Sequence, residues 1–219
     1  MPSTVIKFRG IIIKETPVGE SDKYLTIFTK TGGKLIVRAR GSKNAKSKYI
    51  TAQLFSYCDF MVYQGKGFYS LTQVDLIESF YNLRLDYDSL MAAYEIITLV
   101  DKYVPTGPIE AQESQDILLL ILKALSQLAK KPDKKTISSE LAVMVFQLKF
   151  LQLQGFAPSM ENGQLQGPDH SIIISPGAMQ AIDYIMCCEI GKVYDFIAAK
   201  DIEYDLSRVC KIFLPKLEG

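Results

Sequence analysis

The stretch "KYLTIFTKTGGKLIVRAR", residues 23–40, predicts a β-hairpin. Apolar and polar residues alternate on both sides of the central "TGG", which is the pattern of two half-buried strands joined by a tight glycine turn. In the second strand, the apolar face consists of Leu35, Val37 and Ala39. The opposite face consists of Lys34, Ile36, Arg38 and Arg40. One side of the hairpin is therefore expected to pack on a core, and the other to present positive charge.

Three more runs with a period of two surround this hairpin. "VIKFRGIIIKE" (5–15) reads as a long first strand, in which Gly10 indicates a bend or bulge. "YCDFMVYQGKGFYSLTQVDL" (57–76) contains two further strands around "QGKG". Five short strands within about 75 residues, without helical spacing, fit a small barrel of the oligonucleotide-binding (OB) type.

After residue 79 the hydrophobic spacing becomes helical. The segment 111–131 is apolar nearly all round, so it is expected to be the central buried helix. Serine caps and proline or glycine stops mark the ends of the others. The five expected helices cover 85–104, 111–131, 138–155, a segment opening at Ser175-Pro176, and a last segment that carries Leu206 to Phe213.

The charge distribution divides the chain at the same place. Residues 1–79 hold 12 Lys and Arg against 6 Asp and Glu, whereas residues 80–219 carry a net charge of −5 and the whole chain only +1. The predicted fold class is α+β with two domains. They are an OB-fold barrel at 1–79 and an all-α domain at 80–219, the latter interrupted by a turn-rich hairpin at about 156–174.

The basic charge concentrates in "GKLIVRARGSKNAKSKY" (33–49), which has six basic residues and no acidic one. Cations follow phosphates and aromatic faces stack on bases, so a basic strand and loop on a barrel predict nucleic-acid binding. The alternative is a solvated strand face that prevents edge-to-edge pairing of sheets. The candidate nucleic-acid-binding residues are Lys7, Arg9, Lys34, Arg38, Arg40, Lys43, Lys46, Lys48 and Tyr49.

The sequence contains no recognisable catalytic or metal-binding motif. Its four cysteines include no CxxC pair and His170 stands alone, so neither a zinc site nor a disulfide framework is expected. Phosphate-binding and dinucleotide fingerprints are missing, as are GxSxG and HExxH. We therefore expect no enzyme, no cofactor and no metal.

Two further observations argue against secretion and membrane insertion. The N-terminal "MPSTVIKFRG" has no charged leader followed by an apolar core, so no secretory signal is expected. The longest aliphatic run, "ILLLIL" (117–122), is far shorter than the roughly 20 residues of a membrane-spanning helix. We expect a cytoplasmic protein.

Four segments are similar, in chain order, to those of a known family. The first, "PVGESDKYLTIFTKTGGKLIVRARGSKNAKSK" (17–48), contains a Gly-Glu-x-Asp turn, a hairpin and an Ala-Arg-Gly basic loop. It is followed by "DLIESFYNLRLDYDSLMAAYEII" (75–97), "LQGFAPS" (153–159) and "ISPGAMQAI" (174–182). The family that they resemble is RecO, the bacterial recombination mediator, and the resemblance covers essentially the whole chain.

The resemblance implies an OB barrel, a helical domain and no enzymatic active site. It implies binding of single- and double-stranded DNA, strand annealing, and cooperation with RecR and single-stranded-DNA-binding protein in loading the RecA recombinase at the nucleoid. It also implies that the acidic, phenylalanine-ending tail of single-stranded-DNA-binding protein docks on the helical domain. Such a tail needs an apolar pocket and a cation. The candidate cations are Lys102, Lys123, Lys149, Arg208 and Lys211.

A function of a different class is compatible with the same sequence. The helical domain could serve as a protein–protein adaptor, with the barrel as its scaffold. An adaptor would bind oligonucleotides only weakly and without a defined salt dependence, whereas a phosphate-binding barrel loses affinity steeply as salt rises. A salt titration of oligonucleotide binding therefore separates the two hypotheses.

We predict that the chain folds without metal. Many members of the resembled family place four cysteines between the "GFAP" and "SPG" segments, but "SMENGQLQGPDHSIII" (159–174) has none. Structural zinc stabilises a fold through thiolate and imidazole ligands, and this segment lacks such a cluster. Elemental analysis should find no stoichiometric zinc, and a chelator should leave the melting temperature unchanged. One zinc per chain, with a lower melting temperature after chelation, would contradict the prediction.

Overall fold

The computed structural model describes residues 4–44, 47–131, 137–161, 164–166 and 171–218. The chain forms two compact units, one of residues 1–81 with 97–118 and the other of residues 82–96 with 119–219. The predicted domain division into 1–79 and 80–219 stays a prediction.

The first unit contains a closed five-stranded barrel. Its strands are β1 (Thr4–Val18), β2 (Asp22–Thr29), β3 (Lys34–Ala39), β4 (Tyr57–Gln64) and β5 (Tyr69–Glu78). Their order around the barrel is β1-β2-β3-β5-β4. Neighbouring strands are antiparallel, except that β3 and β5 run parallel. The predicted OB-fold barrel, followed in the chain by helices, is thus confirmed.

The core of the barrel is built from alternate residues of its strands. In β3, Val37 and Ala39 are fully buried, and the neighbouring Ile36 is 46% exposed, as the alternation in the sequence predicts. Burial of one aliphatic side chain stabilises the fold by roughly 1.5–3 kcal/mol. A slip of one residue would turn the whole apolar set outward, so this pattern fixes the register of the strands.

Gly10 lies where the barrel closes, and it is not the site of a bulge. It pairs with Thr29 of β2 on one side and with Cys58 of β4 on the other. A Cβ at this position would lie 2.5 Å from the carbonyl oxygen of Phe28. The irregularity of β1 falls instead between Ile12 and Lys14. Of the two readings of Gly10, the bulge is therefore wrong, because a glycine that allows close backbone approach gives the same signal in the sequence. The bend stays a prediction.

The carboxylate of Asp22 anchors the basic loop that follows β3. It accepts hydrogen bonds from the Gly41 backbone N–H at 2.8 Å and from Nε and Nη2 of Arg38 at 3.0 and 2.8 Å. Gly41 has a φ of +66°, which favours glycine at this turn. The Gly41 bond and then the Arg38 bond lower the pKa of Asp22 to about 2. Asp22 thus joins the Gly-Glu-x-Asp turn to the Ala-Arg-Gly loop.

The β2–β3 turn is held by residues 101–114 of the same unit. Lys34 is only 3% exposed, and its Nζ lies 3.2 Å from a carboxylate oxygen of Asp101. Lys14 contacts the other oxygen of Asp101 at 2.8 Å. Burial opposes ionisation of Asp101, but its bonds to Lys14 and Lys34 hold its pKa below the usual value. Ser114 completes the contact, because its hydroxyl accepts from the Gly33 N–H and donates to a carbonyl of β2.

The helices follow the predicted positions closely. They are α1 (Tyr87–Tyr103), α2 (Ala111–Leu128), α3 (Ser139–Leu153), α4 (Pro176–Cys187) and α5 (Lys200–Phe213). Short 3₁₀ turns occupy Tyr81–Leu85, Ile190–Lys192 and Leu214–Glu218. Ser138 and Ser175 cap α3 and α4 through their hydroxyl oxygens, as the sequence predicts. None of the helices within the described ranges is both long and apolar enough to cross a membrane.

The most buried helix of the second unit is α3, whereas the sequence pointed to α2. Every residue of α3 from Leu141 to Leu151 is buried. Its two polar members have partners: Gln147 donates to Glu95, and the Nζ of Lys149 donates to the carbonyls of Met186 and Cys188. The prediction for α2 was wrong because its exposed face, which includes Leu119 at 40% exposure, is itself partly apolar.

The turn-rich segment between α3 and α4 forms a small antiparallel sheet. Its strands are β6 (Ser159–Glu161), β7 (Gln164–Gln166) and β8 (Ser171–Ile172), in that order. Leu165 and Ile172 are buried, while Ile173 is 77% exposed. Backbone pairing and apolar side chains therefore stabilise the described part of this segment.

We predict that Asp22→Asn destabilises the chain in a pH-dependent manner. The folded-state pKa of Asp22 lies near 2, below the roughly 3.9 of an unfolded aspartate, so its stabilising effect is complete above about pH 4 and is lost as the pH falls towards 2. The melting temperatures of the native chain and the variant should differ most near neutral pH and converge as the pH falls through this window.

Asp183→Asn, at an exposed carboxylate of α4, is the control and should change the melting temperature little at any pH. A difference between the native chain and Asp22→Asn that stays constant from neutral pH down to the folded-state pKa of Asp22 would contradict the role given to the ionised carboxylate.

Candidate nucleic-acid interface

The outer face of the barrel carries a continuous row of side chains across all five strands. Strand pairing places Val5 opposite Tyr63, Tyr63 opposite Ser70, and Ser70 opposite Arg38. Arg38 in turn pairs with Tyr24. In OB folds, the face of strands 2 and 3 binds oligonucleotides, and Tyr24 and Arg38 lie on that face.

Three exposed cations lie on the loop that follows β3 or at its start. Arg40 is exposed at the end of β3. The Nζ of Lys43 donates to the carbonyl of Gly19 at 2.7 Å, and the Nζ of Lys48 donates to the carbonyl of Thr72 at 3.2 Å. The described residues of the loop therefore contact the β1–β2 turn at Lys43 and β5 at Lys48, and their cations are exposed.

Three other predicted cations are paired with carboxylates. Lys34 is buried against Asp101, as described above, and Arg38 binds Asp22. Arg9 forms a bidentate pair with Asp59 at 2.7 and 2.8 Å, which raises the pKa of Arg9 and lowers that of Asp59. The sequence has no acidic residue between Asp22 and Asp59, so the basic stretch looks unpaired along the chain. Its carboxylate partners come instead from neighbouring strands and from α1.

The remaining predicted residues differ in accessibility. Lys7 is exposed on β1 and pairs across the sheet with Met61 of β4. Tyr49 is only 6% exposed, and its hydroxyl donates to the carbonyl of Leu71 at 2.7 Å, so its ring belongs to the barrel core. Lys46 lies outside the described residues. Of the nine candidates, the exposed cations that carry no carboxylate pair in the described part of the chain are Lys7, Arg40, Lys43 and Lys48.

The barrel carries a second exposed group, which the sequence did not predict. Tyr63 and Phe68 flank the β4–β5 turn and are 36% and 46% exposed, with ring centres 6.3 Å apart. Lys66, at the tip of the turn, is exposed as well. The alternation in "CDFMVYQ" could have indicated that Tyr63 points outward. Phe68 lies in the turn, where no period applies.

The five candidate cations for a protein tail also separate by burial. Lys149 is 5% exposed, and its ammonium group donates to two carbonyls at the end of α4. Arg208 is exposed but donates to Asp205 and to the carbonyl of Ile173, and it lies 6.0 Å from the ring centre of Tyr204. The other three candidates are exposed: Lys102 in the first unit, and Lys123 and Lys211 in the second.

The cysteines do not cluster. Cys58 lies in the barrel core and Cys210 in α5, and burial raises the pKa of each thiol to about 12. Cys187 is exposed and Cys188 is half-buried at the end of α4. Over the described ranges, no group of three or more His, Cys, Asp or Glu could hold a metal ion. His170 falls outside those ranges.

A comparison with protein families and with curated proteins gives a consistent result. A family model described as "Recombination protein O N terminal" matches residues 1–80. The DNA repair protein RecO of Acetivibrio thermocellus is 28% identical to the chain, over 95% of this chain and 90% of that protein. RecO of Clostridium kluyveri is also 28% identical, over 96% and 88%.

The similarity is higher over a shorter region in other relatives. The DNA repair protein RecO of Alkaliphilus metalliredigens is 32% identical over 71% of this chain and 61% of its own length. The matched N-terminal region coincides with the five-stranded barrel, and the long alignments continue through the helices. The chain belongs to the RecO family of DNA repair proteins.

Proposed function

We propose that this protein is a DNA-binding mediator of recombination in DNA repair. In this proposal it binds single- and double-stranded DNA, anneals complementary strands, and acts with RecR to load RecA onto DNA coated by single-stranded-DNA-binding protein. Its work is binding, with no chemical step on a substrate. The family relationship supports the general role, and the barrel surface supports the DNA contact.

The observation that carries the proposal is the basic loop after β3. Arg40, Lys43 and Lys48 are exposed, and Asp22 fixes the start of the loop through Arg38 and the Gly41 N–H. Because the backbone at the start of the loop is already fixed, binding of a phosphate costs mainly the conformational entropy of the cation's own side chain. Neutralising the phosphates of two strands also reduces the repulsion between them, which favours annealing.

The paired cations are left out of the proposed phosphate track. Lys34 is buried and paired with Asp101. Arg38 is paired with Asp22, and this pair anchors the start of the loop after β3. A charge reversal at Arg38 would therefore disturb the fold of the loop as well as its charge. The sharper test reverses the charge of exposed cations that have no carboxylate partner within the described ranges, and a circular-dichroism spectrum checks that losing the bonds of Lys43 and Lys48 to backbone carbonyls leaves the fold intact.

We predict that Arg40→Glu, Lys43→Glu and Lys48→Glu, combined in one variant, weaken DNA binding and flatten its salt dependence. Removing one phosphate interaction with a single strand should reduce the slope of log K against log salt by about 0.7, so removing three reduces it by about 2. The measurement is fluorescence anisotropy of a labelled oligonucleotide over a range of salt concentrations. The annealing rate of oligonucleotides coated by single-stranded-DNA-binding protein should fall in parallel.

The matched control reverses three exposed lysines of the second unit, Lys123, Lys192 and Lys200. It changes net charge equally but should leave the salt slope within experimental error. If the barrel variant keeps the native slope and a native circular-dichroism spectrum, the phosphate track lies elsewhere. Weak binding by the native chain, without a defined salt slope, would favour the adaptor hypothesis.

We also propose that the second unit binds the acidic tail of single-stranded-DNA-binding protein, along α5. Tyr204, Arg208 and Lys211 share one face of this helix at i, i+4 and i+7 spacing. Tyr204 is 68% exposed, and Ile173, whose carbonyl accepts from Arg208, is 77% exposed. Exposed apolar side chains next to two cations supply what a tail with a phenylalanine and carboxylates requires.

For this site, Lys211→Glu should weaken binding of a labelled tail peptide by roughly tenfold, which corresponds to ~1.4 kcal/mol for one charge-assisted contact. Lys211 is preferred to Arg208 because Arg208 also bonds Asp205 and Ile173 within the fold. Lys123→Glu, on an exposed face of α2, is the matched control. Equal weakening in both variants, or weakening only in the barrel triple variant, would exclude the α5 site.

A further inference from the structure

The tip of the β4–β5 hairpin presents two aromatic rings in a fixed arrangement. The Gly65 N–H donates to the carbonyl of Phe68 at 2.9 Å, which closes a tight turn over Lys66 and Gly67. Gly67 has a φ of +76°. The Phe68 ring lies against Gly65, where a Cβ would come within 2.3 Å of it. The turn therefore sets the position of this ring although nearly half of it is exposed.

Tyr63 extends the exposed aromatic surface onto the sheet. Its ring is tilted by 40° to that of Phe68, at 6.3 Å between centres. It pairs with Val5 on β1, which is 55% exposed, and with Ser70 on β5. Exposed rings that are immobilised by a hairpin and by the sheet beneath them lose little entropy when a flat partner stacks on them.

The charges around these rings indicate an anionic ligand. No Asp or Glu occurs between Asp59 and Asp75, and this interval contains Lys66 at the tip of the turn. Lys7 is exposed on β1 and pairs with Met61, two residues before Tyr63 on β4, so it lies on the same face of β1 as Val5. Lys48 reaches Thr72 on the neighbouring strand β5. A neutral apolar partner would gain nothing from these cations, whereas a polyanion with flat apolar groups matches both features.

We propose that Tyr63 and Phe68 form a stacking platform for the unpaired bases of single-stranded DNA, with Lys66 contacting a phosphate of the same strand. This inference rests on the proposed DNA-binding function and specifies which aromatic residues of the barrel contact bases. Stacking requires a free base face, which a duplex does not offer except at its ends. The platform therefore favours single strands, whereas the basic loop contacts phosphates of either form.

The absence of tryptophan from the sequence allows a direct test. Phe68→Trp introduces a single tryptophan at the platform, and its emission should be quenched when an oligothymidylate of about 15 nucleotides binds. A blunt duplex of the same length should leave the emission nearly unchanged. Tyr87→Trp, at an exposed position of α1, is the matched reporter and should not respond to either DNA.

An affinity measurement provides an independent test that does not use the reporter. Phe68→Leu keeps apolar volume but removes the aromatic face, and should weaken single-strand binding by about fivefold or more, as expected when one base no longer stacks on a ring. Phe68→Tyr, which keeps the aromatic face, should bind single strands with native affinity. Duplex affinity should change by less than about twofold in both variants, since only phosphate contacts remain there.

The outcomes separate this inference from the function on which it rests. If the native chain binds DNA with a defined salt slope but Phe68→Trp stays silent and Phe68→Leu binds normally, the platform is excluded and the DNA-binding function stands. Equal quenching of Phe68→Trp by single strand and duplex, or equal quenching of the Tyr87→Trp reporter, also excludes it. If the native chain binds no DNA at all, both proposals fail.

Discussion

Closure of the barrel through β1 is the constraint on which the candidate interface depends. A five-stranded sheet leaves two edges unsatisfied unless its first and last strands meet, and here β1 pairs with β2 over one part of its length and with β4 over the other. Gly10 lies where the two pairings overlap, and its missing side chain permits the approach of Phe28. Once β1 is shared in this way, the registers of all five strands are linked. The outward row from Val5 to Tyr24 follows from that linkage.

The fold could be predicted from the sequence because its two halves use different periods. Alternation identifies the strands, and the change to helical spacing after residue 79 identifies the helices with their serine caps. The prediction of which helix is most buried was wrong because burial depends on tertiary packing. The burial of α3 could not be distinguished from that of α2, because a helix can carry Leu119 on an exposed face and can bury Gln147 and Lys149 when partners exist. Composition alone does not reveal those partners.

The sequence predicted where on the barrel the basic residues of the candidate interface lie, but not which of their side chains are accessible. The excess of Lys and Arg in 33–49 does lie on the barrel and the loop after β3. A count of charges along the sequence, however, does not reveal that three of the predicted cations are neutralised by carboxylates of neighbouring strands or of a helix. These carboxylates are Asp22, Asp59 and Asp101. Nor can it tell that Tyr49 turns inward and Phe68 outward, because both lie in loops without a regular period. Pairing and loop geometry determine which side chains remain available to a ligand.

The buried ammonium group of Lys149 has a consequence for how the second unit assembles. The last carbonyls of a helix normally bond water or a local residue, but those of Met186 and Cys188 receive their donor from the middle of α3. The positive charge also lies at the negative end of the α4 dipole. The end of α4 is therefore completed only when α3 is in place, and Lys149 can be desolvated only when α4 is. Opening of either helix should expose the backbone amides of both, so these two helices are expected to exchange hydrogen with solvent as one cooperative unit.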